Sequence, residues 1–474
     1  MKKNLIYILI ICIIHSILLY QKILGINVIL LTIPLLLVLY KFLKDNDLIK
    51  NKKGLLFMIP IIILSITYFV YDNIFKEFNI LVIPALYLLM YVYTIRPTNN
   101  LITLIVQMAR TAFKPLDKVS NFIKETKQSL EERLKIKGDN KKKIKSIIVV
   151  IPVVIVVLVL LSSADMVFGN MFSSVLDIFQ DTPIDNIIGR MIVGVILFIY
   201  MGSLMKYLYE SFPQEKDEDR YVKAEEFTIK LLLTTLNVIY VIFDIIQIHS
   251  LMLHHVGDKI NYAEYARSGF FQLMFISILN IIILLISKRN SNTKYNKIME
   301  LLMTGLTLII IISSFLRMHL YEATYGYTLL RLGVYIILTT EVILLIPTIL
   351  YILKEKYPIL KSYLIVVVSV YTFINLFSIE NIITKNNINR YYDTGKIDIE
   401  YLKNNNNDNI PQLVELYKNV IEAKDIENRE EVKILLEIYL DEDFIDKNSK
   451  TNSIFEYNIS KEKAIKAIDT IKKK

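Results

Sequence analysis

Long apolar runs separated by short polar links dominate this chain of 474 residues. Each run approaches the ~20 residues that a helix needs to cross the hydrocarbon layer of a bilayer. The eleven runs are Leu5–Leu19, Ile23–Leu43, Leu55–Tyr71, Phe78–Thr94, Ile147–Ser163, Ile187–Leu208, Thr228–Ile248, Phe270–Ser287, Met299–Leu316, Leu329–Leu353 and Ile359–Ile379. Only helices or closed barrels satisfy every backbone group in lipid, and these runs do not alternate as strands do. The pattern therefore predicts an all-α, polytopic membrane helix bundle of about eleven spans.

Positive charges in the links predict the orientation of this bundle. Most Lys and Arg residues between the runs fall on one side of the alternating topology, which the positive-inside rule assigns to the cytoplasm. Met1 is then inside, and the first run is an uncleaved span because no small-residue cleavage site follows Leu19. An odd number of spans places the residues from Glu380 onward outside. We expect an N-in, C-out protein of the cell membrane.

Changes in composition divide the chain into four regions. Residues 1–95 hold the first four spans, and residues 96–146 form a basic cytoplasmic segment. Residues 147–380 hold a core of about seven spans, and residues 381–474 form an extracytoplasmic tail. In the basic segment, Asp117–Ile136 spaces apolar residues at helical intervals, which predicts an amphipathic helix. That helix either lies on the inner leaflet or is solvated in the cytoplasm.

The C-terminal region loses the membrane composition and predicts a small helical domain. Apolar residues recur at helical spacing in Pro411–Ala423, Arg429–Leu440 and Ser460–Lys472, the last with Ser460 as its N-cap. A segment of roughly ninety residues is long enough for a small independent domain. It is equally consistent with a segment that docks on the membrane part, and the sequence leaves both arrangements open.

Composition narrows the classes of function. The formal charge is +9, but the lysines lie in links where they set orientation, so we expect no nucleic-acid partner. Cys12 is the one cysteine, which excludes an intramolecular disulfide and a multi-thiolate metal site. The chain contains no Gly-rich phosphate loop, no His-Glu-x-x-His and no Gly-x-Ser-x-Gly. With no recognisable catalytic motif, a non-enzymatic role is favoured and no cofactor is expected.

Two polar stretches, residues 261–273 and 317–332, each combine Tyr, a carboxylate, Arg and Gly and then continue into a span. The spans that follow begin at the outer face, so their unpaired N–H groups and positive dipole ends point outward, with Ser268 and Thr328 as N-caps. This arrangement suits an anionic ligand. The candidate ligand-binding residues are Asp165, Asp244, Glu264, Arg267, Gly269, Arg317, His319, Tyr321, Glu322, Gly326 and Arg331.

Each of these residues has an alternative interpretation. Intramembrane charges usually pair, so Arg267 could bind Glu264, and Arg331 could bind Glu322 or Glu341. Asp244 and Glu341 lie within spans, which is typical of a proton or ion path, although pairing with Arg331 or Arg190 is the alternative. Histidines with nearby carboxylates could hold a divalent metal such as zinc, or could be interfacial residues that reach water. These weak metal candidates are His249, His254, His255 and His319.

The two polar stretches, residues 261–273 and 317–332, resemble a bacterial family of polytopic membrane proteins that is catalogued only as a domain of unknown function. The resemblance rests on Tyr262-Ala-Glu-Tyr-Ala-Arg-Ser-Gly-Phe-Phe-Gln-Leu273 and Tyr325-Gly-Tyr-Thr-x-x-Arg331-Leu332, and its most specific parts are Gly269-Phe-Phe-Gln-Leu273 and Gly326-Tyr-Thr-x-x-Arg331. Ser162-Ser-Ala-Asp165-x-x-Phe168 belongs to the same pattern, and the resemblance spans residues 147–416. It implies a shared membrane core and no activity.

We therefore expect a non-enzymatic envelope sensor, scaffold or transporter-like module that binds an anionic ligand at its outer face. Its expected partners are membrane lipids, and an envelope protein or anionic envelope component bound through the outer face and the tail. Two other classes stay open. One is a membrane-embedded transferase or hydrolase at the outer leaflet, with Asp165, Asp244 or Glu264 as base. The other is an ion-coupled transporter that depends on Asp244 and Glu341.

Overall fold

The computed structural model describes residues 4–133, 184–214, 224–249, 269–403, 407–422, 429–439 and 453–472. Within these ranges the chain forms α-helices, short 3₁₀ helices and links, and no strand. The helices are α1 (Asn4–Leu18), α2 (Ile26–Asp45), α3 (Met58–Val70), α4 (Phe75–Ile95), α5 (Leu101–Phe113), α6 (Val119–Arg133), α7 (Ile184–Glu210), α8 (Glu226–Gln247), α9 (Phe270–Asn290), α10 (Lys294–Tyr325), α11 (Leu329–Leu353), α12 (Ile359–Ile374), α13 (Ile379–Thr394), α14 (Ile399–Lys403), α15 (Ile410–Glu422), α16 (Arg429–Tyr439) and α17 (Ile459–Lys472). The predicted all-α class is confirmed.

Eight helical segments of the described chain are long and apolar enough to cross a membrane. They are α2, α4, α7 to α11, and α3 together with the 3₁₀ turn that precedes it (Lys52–Val70). The number rises to nine if α12 and α13, which meet at a 59° bend, count as one span. The predicted first span is the shorter helix α1, and the predicted span Ile147–Ser163 lies outside the described residues. The chain is a membrane protein, and the count of eleven stays a prediction.

Local chemistry explains several helix ends. The side chains of Thr293 and Thr328 accept hydrogen bonds from the N–H groups of Asn296 and Arg331, so they cap α10 and α11. The predicted cap at Thr328 is thus confirmed. The N-cap of α9 is Gly269 rather than Ser268, and it offers no side chain.

The described residues belong to two compact units. The first comprises residues 1–58, 85–97 and 105–217, and the second comprises residues 59–84, 98–104 and 218–474. In the first unit α1 packs against α2 and α7, and α6 packs against α7. Phe122 of α6 is buried against Gly202 of α7, and Lys206 forms an ion pair with Glu125. The predicted amphipathic helix therefore turns Phe122 toward another helix, an arrangement that neither sequence alternative included.

In the second unit, α8 to α11 form a four-helix bundle in which α10 contacts the other three helices. Its apolar core includes Leu284, Met303, Ile311 and Leu338, all fully buried. The opposite face of α8 exposes the isoleucines Ile239, Ile242, Ile245 and Ile246. An exposed isoleucine stripe on a helix of this length is what a lipid-facing surface requires.

The two ends of this bundle differ in charge and in what they contact. One end holds the α9–α10 and α11–α12 links, and we call it the basic end. Its cations are Lys288, Arg289, Lys294, Lys297, Lys354 and Lys356. The other end, the tail end, holds the α3–α4 link at residues 71–74 and the α10–α11 link at residues 326–328.

The C-terminal helices α13 to α17 dock on the tail end. The N–H of Asp72 donates to Asp408 Oδ1 at 2.7 Å, and the N–H of Ile74 donates to Glu380 Oε1 at 2.8 Å. The tail also has its own buried core, which includes Ile383, Leu402, Leu413, Val420 and Leu436. The sequence left open whether the tail folds alone or docks, and in the structure it docks.

Candidate functional site

Polar side chains line the inner faces of all four bundle helices. On α8, Asn237, Tyr240, Asp244 and Gln247 follow one another at intervals of three and four residues and are all buried. This spacing places them on one helix face, opposite the isoleucine stripe. The same interval brings Ser277, Asn280 and Ser287 of α9, and Glu300, Thr304, Thr307 and Ser314 of α10, to the bundle interior.

These residues meet at successive levels, beginning near the basic end. There the Ser287 hydroxyl donates to Glu300 Oε1 at 2.6 Å, and Glu300 is completely buried. The second carboxyl oxygen of Glu300 has no hydrogen-bond partner in the described structure. Asn237 of α8 lies close by and donates to the Met299 carbonyl at 3.0 Å.

The middle level joins three helices through uncharged groups. The Tyr240 hydroxyl donates to Asn280 Oδ1 at 2.8 Å, and Asn280 Nδ2 donates to Thr307 Oγ1 at 3.0 Å. One level closer to the tail end, the Ser277 hydroxyl donates to Glu341 Oε2 at 2.5 Å. Glu341 is 3% exposed, and its other oxygen has no partner among the described residues.

Asp244 is the residue with the fewest interactions in this series. It is 2% exposed, and neither of its carboxyl oxygens has a hydrogen-bond partner in the described part of the chain. It lies one helical turn from Tyr240 and one turn from Gln247, so it continues this series of buried polar residues toward the tail end. A buried polar group without a partner marks a place where water, an ion or a ligand group can bind.

The buried polar residues of α8 to α11 extend over most of the thickness of a bilayer. Glu300 and Arg317 are seventeen residues apart on α10, which is about 25 Å along a helix. The hydrocarbon layer of a bilayer is about 30 Å thick. We call the buried polar residues of α8 to α11 between the levels of Glu300 and Arg317 the polar line. Its carboxylates are Glu300, Glu341 and Asp244.

At the tail end of the polar line lies Arg317. Its guanidinium donates to Gln247 Oε1 at 3.0 Å and is buried. It also lies over the start of α9, where a Cβ at Gly269 would be 2.9 Å from Nη1 of Arg317. Glycine is favoured at position 269 because its φ is +96° and because a side chain there would crowd the guanidinium of Arg317.

Arg331 has different surroundings from those predicted. Its guanidinium donates to the Gly326 carbonyl and lies 4.3 Å from the ring centre of Tyr321. Glu341 lies ten residues along α11, about 15 Å away, so it cannot pair with Arg331. Glu322 faces the hydroxyls of Tyr327 and Tyr335 instead. Both predicted pairings of Arg331 are therefore absent from the described structure.

Gly326 has a structural role that the sequence did not indicate. Its φ is +82°, and a Cβ there would lie 2.6 Å from Asn387 Oδ1 of α13. The N–H of Leu329, at the start of α11, donates to the hydroxyl of Tyr401 at 2.7 Å. Burial raises the pKa of Tyr401, so its phenol stays neutral and accepts the hydrogen bond from the Leu329 N–H. The Gly-Tyr-Thr element is thus a contact between the membrane bundle and the tail.

The remaining candidate residues divide into two groups. His249, just after α8, is exposed, and so is His319 on α10. No group of three or more His, Cys, Asp or Glu that could hold a metal occurs among the described residues. Those outside the described residues are Asp165, His254, His255, Glu264 and Arg267.

Several residues of the polar line were missed by the sequence analysis, which singled out only Asp244 and Glu341. The missed residues are Asn237, Tyr240, Gln247, Ser277, Asn280, Glu300 and Thr307. Their signal is present in the sequence as polar residues at intervals of three, four and seven within apolar runs. Such a stripe distinguishes a helix that faces a polar interior from one surrounded by lipid.

Comparisons with known proteins give a family and no activity. No curated protein matches the chain, and no solved structure does. One family model matches residues 58–416, which include α3 to α14 and the first half of α15, and so both the polar line and the docked part of the tail. Because this match covers most of the chain, the protein belongs to the family described as "Domain of unknown function (DUF4153)".

Proposed function

We propose that this protein is an ion-coupled, transporter-like module whose polar line carries protons or small cations between the two ends of the α8–α11 bundle. The observation that carries the proposal is Asp244, buried in a spanning helix with no partner for either oxygen among the described residues. A charged aspartate costs up to about 3 kcal/mol in a spanning helix, and Asp244 lies in the last turn of α8, where this cost is smaller but still unfavourable. An apolar residue would avoid that cost, so binding an ion or a proton is the function that best accounts for it.

The other two carboxylates support a path rather than a single site. Glu300 and Glu341 each keep one oxygen without a partner in the described structure. Tyr240, Asn280 and Thr307 lie between them and offer hydroxyl and amide groups. Alternating carboxylates and neutral polar groups are the usual components of proton relays in membranes.

A second part of the proposal is an anionic ligand at the tail end. Its support is the Arg317 guanidinium above the N-terminus of α9, where Gly269 provides no capping side chain. Helix N-terminal N–H groups and a guanidinium together favour a carboxylate or phosphate. The positive-inside rule assigns the basic end to the cytoplasm, so the ligand would be bound from outside the cell membrane.

Charge displacement on a solid-supported membrane tests the ion path without a known substrate. A step in pH, Na⁺ or K⁺ should produce a transient current in the wild-type protein, because a cation that binds within the bundle moves through the membrane field. The current should be lost in the double variant Asp244→Asn, Glu341→Gln. It should persist in Glu355→Gln, which removes an exposed carboxylate at the basic end.

Two results would reject the ion path. The first is a wild-type current no larger than that of protein-free membranes for all three cations. The second is an unchanged current in the double variant.

The anionic ligand is tested separately. Arg317→Gln should lower retention of a co-purifying anionic lipid or envelope precursor severalfold. Equal retention would reject the anionic ligand and leave the ion path untouched.

A further inference from the structure

The tail contains an apolar turn that is unusually exposed. Ser453 caps a 3₁₀ turn at Ile454–Glu456, accepting the N–H of Phe455 at 3.3 Å. Ile454 is 88% exposed, the largest fraction among the large apolar side chains of the described residues. Phe455 and Tyr457 are 40% and 38% exposed. Apolar groups presented in this way generally mark a surface that contacts lipid or another molecule.

This turn is fixed at the point where α3 ends. Asn458 Nδ2 donates to the carbonyls of Tyr68 and Tyr71 at 2.8 and 2.7 Å. The ring of Tyr457 packs against the ring of Phe69, with 5.8 Å between the ring centres. The N–H of Tyr457 donates to the Ile454 carbonyl at 3.2 Å. Ile454 therefore lies within one turn of a contact with a spanning helix.

Phe69 is partly buried and follows the exposed apolar stripe of α3. Ile59 and Ile66, seven residues apart, are 56% and 41% exposed, and Phe69 follows three residues later on the same face. On the opposite face Leu64 and Tyr68 are buried in the protein. The exposed turn therefore continues this exposed apolar surface beyond the end of the span.

We propose that Ile454 and Phe455 insert into the lipid layer at the tail end and anchor the C-terminal helices to the membrane surface. Lipid is the fitting partner because the turn is continuous with the exposed apolar stripe of α3. Tyr457 has the form of an interfacial tyrosine, since its ring packs on Phe69 while its hydroxyl hydrogen-bonds to Glu462. Two apolar side chains give a shallow insertion that holds the tail at the headgroup level.

The absence of tryptophan from the chain makes this proposal directly measurable. In Ile454→Trp the new indole is the only tryptophan, and the exposed position means that no packed neighbour is displaced. The full-length variant is reconstituted into vesicles of phosphatidylcholine and phosphatidylglycerol. We expect emission shifted to shorter wavelength, strong quenching by lipids brominated near the glycerol backbone, and weak quenching by aqueous iodide.

Ile434→Trp is the matched control. Ile434 is an exposed isoleucine on α16, a helix that packs on α14 and α15 of the tail. Its indole should be quenched severalfold more by iodide and little by brominated lipid. Equal iodide quenching of the two variants, with no effect of brominated lipid on either, would overturn the anchor. A shift to shorter wavelength at position 454 without quenching by brominated lipid would overturn it too, because the turn would then be covered by protein.

Discussion

Asn387 holds the backbone of Tyr327 with both ends of its amide group. Its Oδ1 accepts the N–H of Tyr327 at 2.9 Å, and its Nδ2 donates to the carbonyl of the same residue at 2.8 Å. A single side chain of α13 thus satisfies both backbone groups in the middle of the α10–α11 link. An amide can form this pair of bonds, whereas a carboxylate lacks the donor and alanine lacks both groups.

Replacing Asn387 should loosen the tail from the bundle. Asn387→Ala removes two hydrogen bonds to partly buried groups, which should lower the free energy of unfolding by about 2 kcal/mol. Denaturant titration in detergent measures this change, and hydrogen exchange should show faster exchange at residues 326–329. Asn419→Ala is the control, because Asn419 is exposed and, in the described part of the tail, donates to the hydroxyl of Tyr392. Similar losses in both variants would contradict a specific role for Asn387.

Gly326 should tolerate no side chain, in contrast to a neighbouring glycine. Gly326→Ala combines a positive φ with a Cβ that would lie 2.6 Å from Asn387 Oδ1, so we expect a loss of about 2 kcal/mol. Gly333→Ala on α11 is the control, since a Cβ there meets nothing within 4 Å and alanine favours a helix. Equal stability of the two variants, compared by thermal unfolding, would refute this account of the link.

The pair Gly326 and Asn387 also predicts non-additivity. In Gly326→Ala the new methyl group crowds Asn387, so in an Asn387→Ala background only the backbone strain should remain. We expect Gly326→Ala to lower the free energy of unfolding by about 1 kcal/mol less in the Asn387→Ala background than in the wild-type protein. A double-mutant cycle measures the difference, and additive costs would mean that the two residues do not interact.

We expect Glu341 to be required for ion movement and to lower the stability of the fold. In Glu341→Leu a carboxylate with one unpaired oxygen is replaced by an apolar group, and the Ser277 hydroxyl can donate to the Met274 carbonyl, 2.8 Å away, instead. We expect the free energy of unfolding to rise by about 1 kcal/mol while the charge displacement falls. Leu338→Ala, fully buried on the same helix, should cost about 3 kcal/mol and shows that the assay detects packing. Strong destabilisation by Glu341→Leu would assign this residue a structural role.

Sidedness is tested with single cysteines in a Cys12→Ser background. Thr394 is exposed at the end of α13 in the tail, and Lys356 is exposed at the basic end. A membrane-impermeant maleimide applied to intact cells should label Thr394→Cys and leave Lys356→Cys unlabelled. The reverse pattern would place the tail in the cytoplasm and turn the search for a ligand toward cytosolic metabolites.

The sequence predicts the class and most of the spans because uninterrupted apolar runs of this length are typical of helices surrounded by lipid. Its boundaries differ where local chemistry is decisive, as at α10, which starts at Lys294 rather than Met299 because Thr293 caps it. The sequence also missed α13, since Ile379–Thr394 is polar enough to resemble a loop. That helix is stabilised by contacts with the bundle, which no local pattern reveals.

The candidate site was predicted only in part. Asp244 and Glu341 stand out in the sequence as charges within apolar runs. The hydrogen bond between Asn280 and Thr307 becomes visible only once the packing of α9 against α10 is known. The interpretation of Arg331 was wrong about its partners, because proximity in sequence suggested Glu322 and the fold supplied the Gly326 carbonyl and Tyr321. Contacts between residues far apart in sequence are decided by packing rather than by composition.

The bond from the Ile74 N–H to Glu380 has a consequence for biosynthesis. Its acceptor lies 306 residues later in the chain, so it leaves the ribosome on the order of half a minute after Ile74, at about 10 residues per second. Until then the hairpin of α3 and α4 is inserted but incomplete at its tail end. A nascent or truncated chain that stops before residue 380 would lack this acceptor, so the link between α3 and α4 reaches its final hydrogen bonding only after most of the chain has been made.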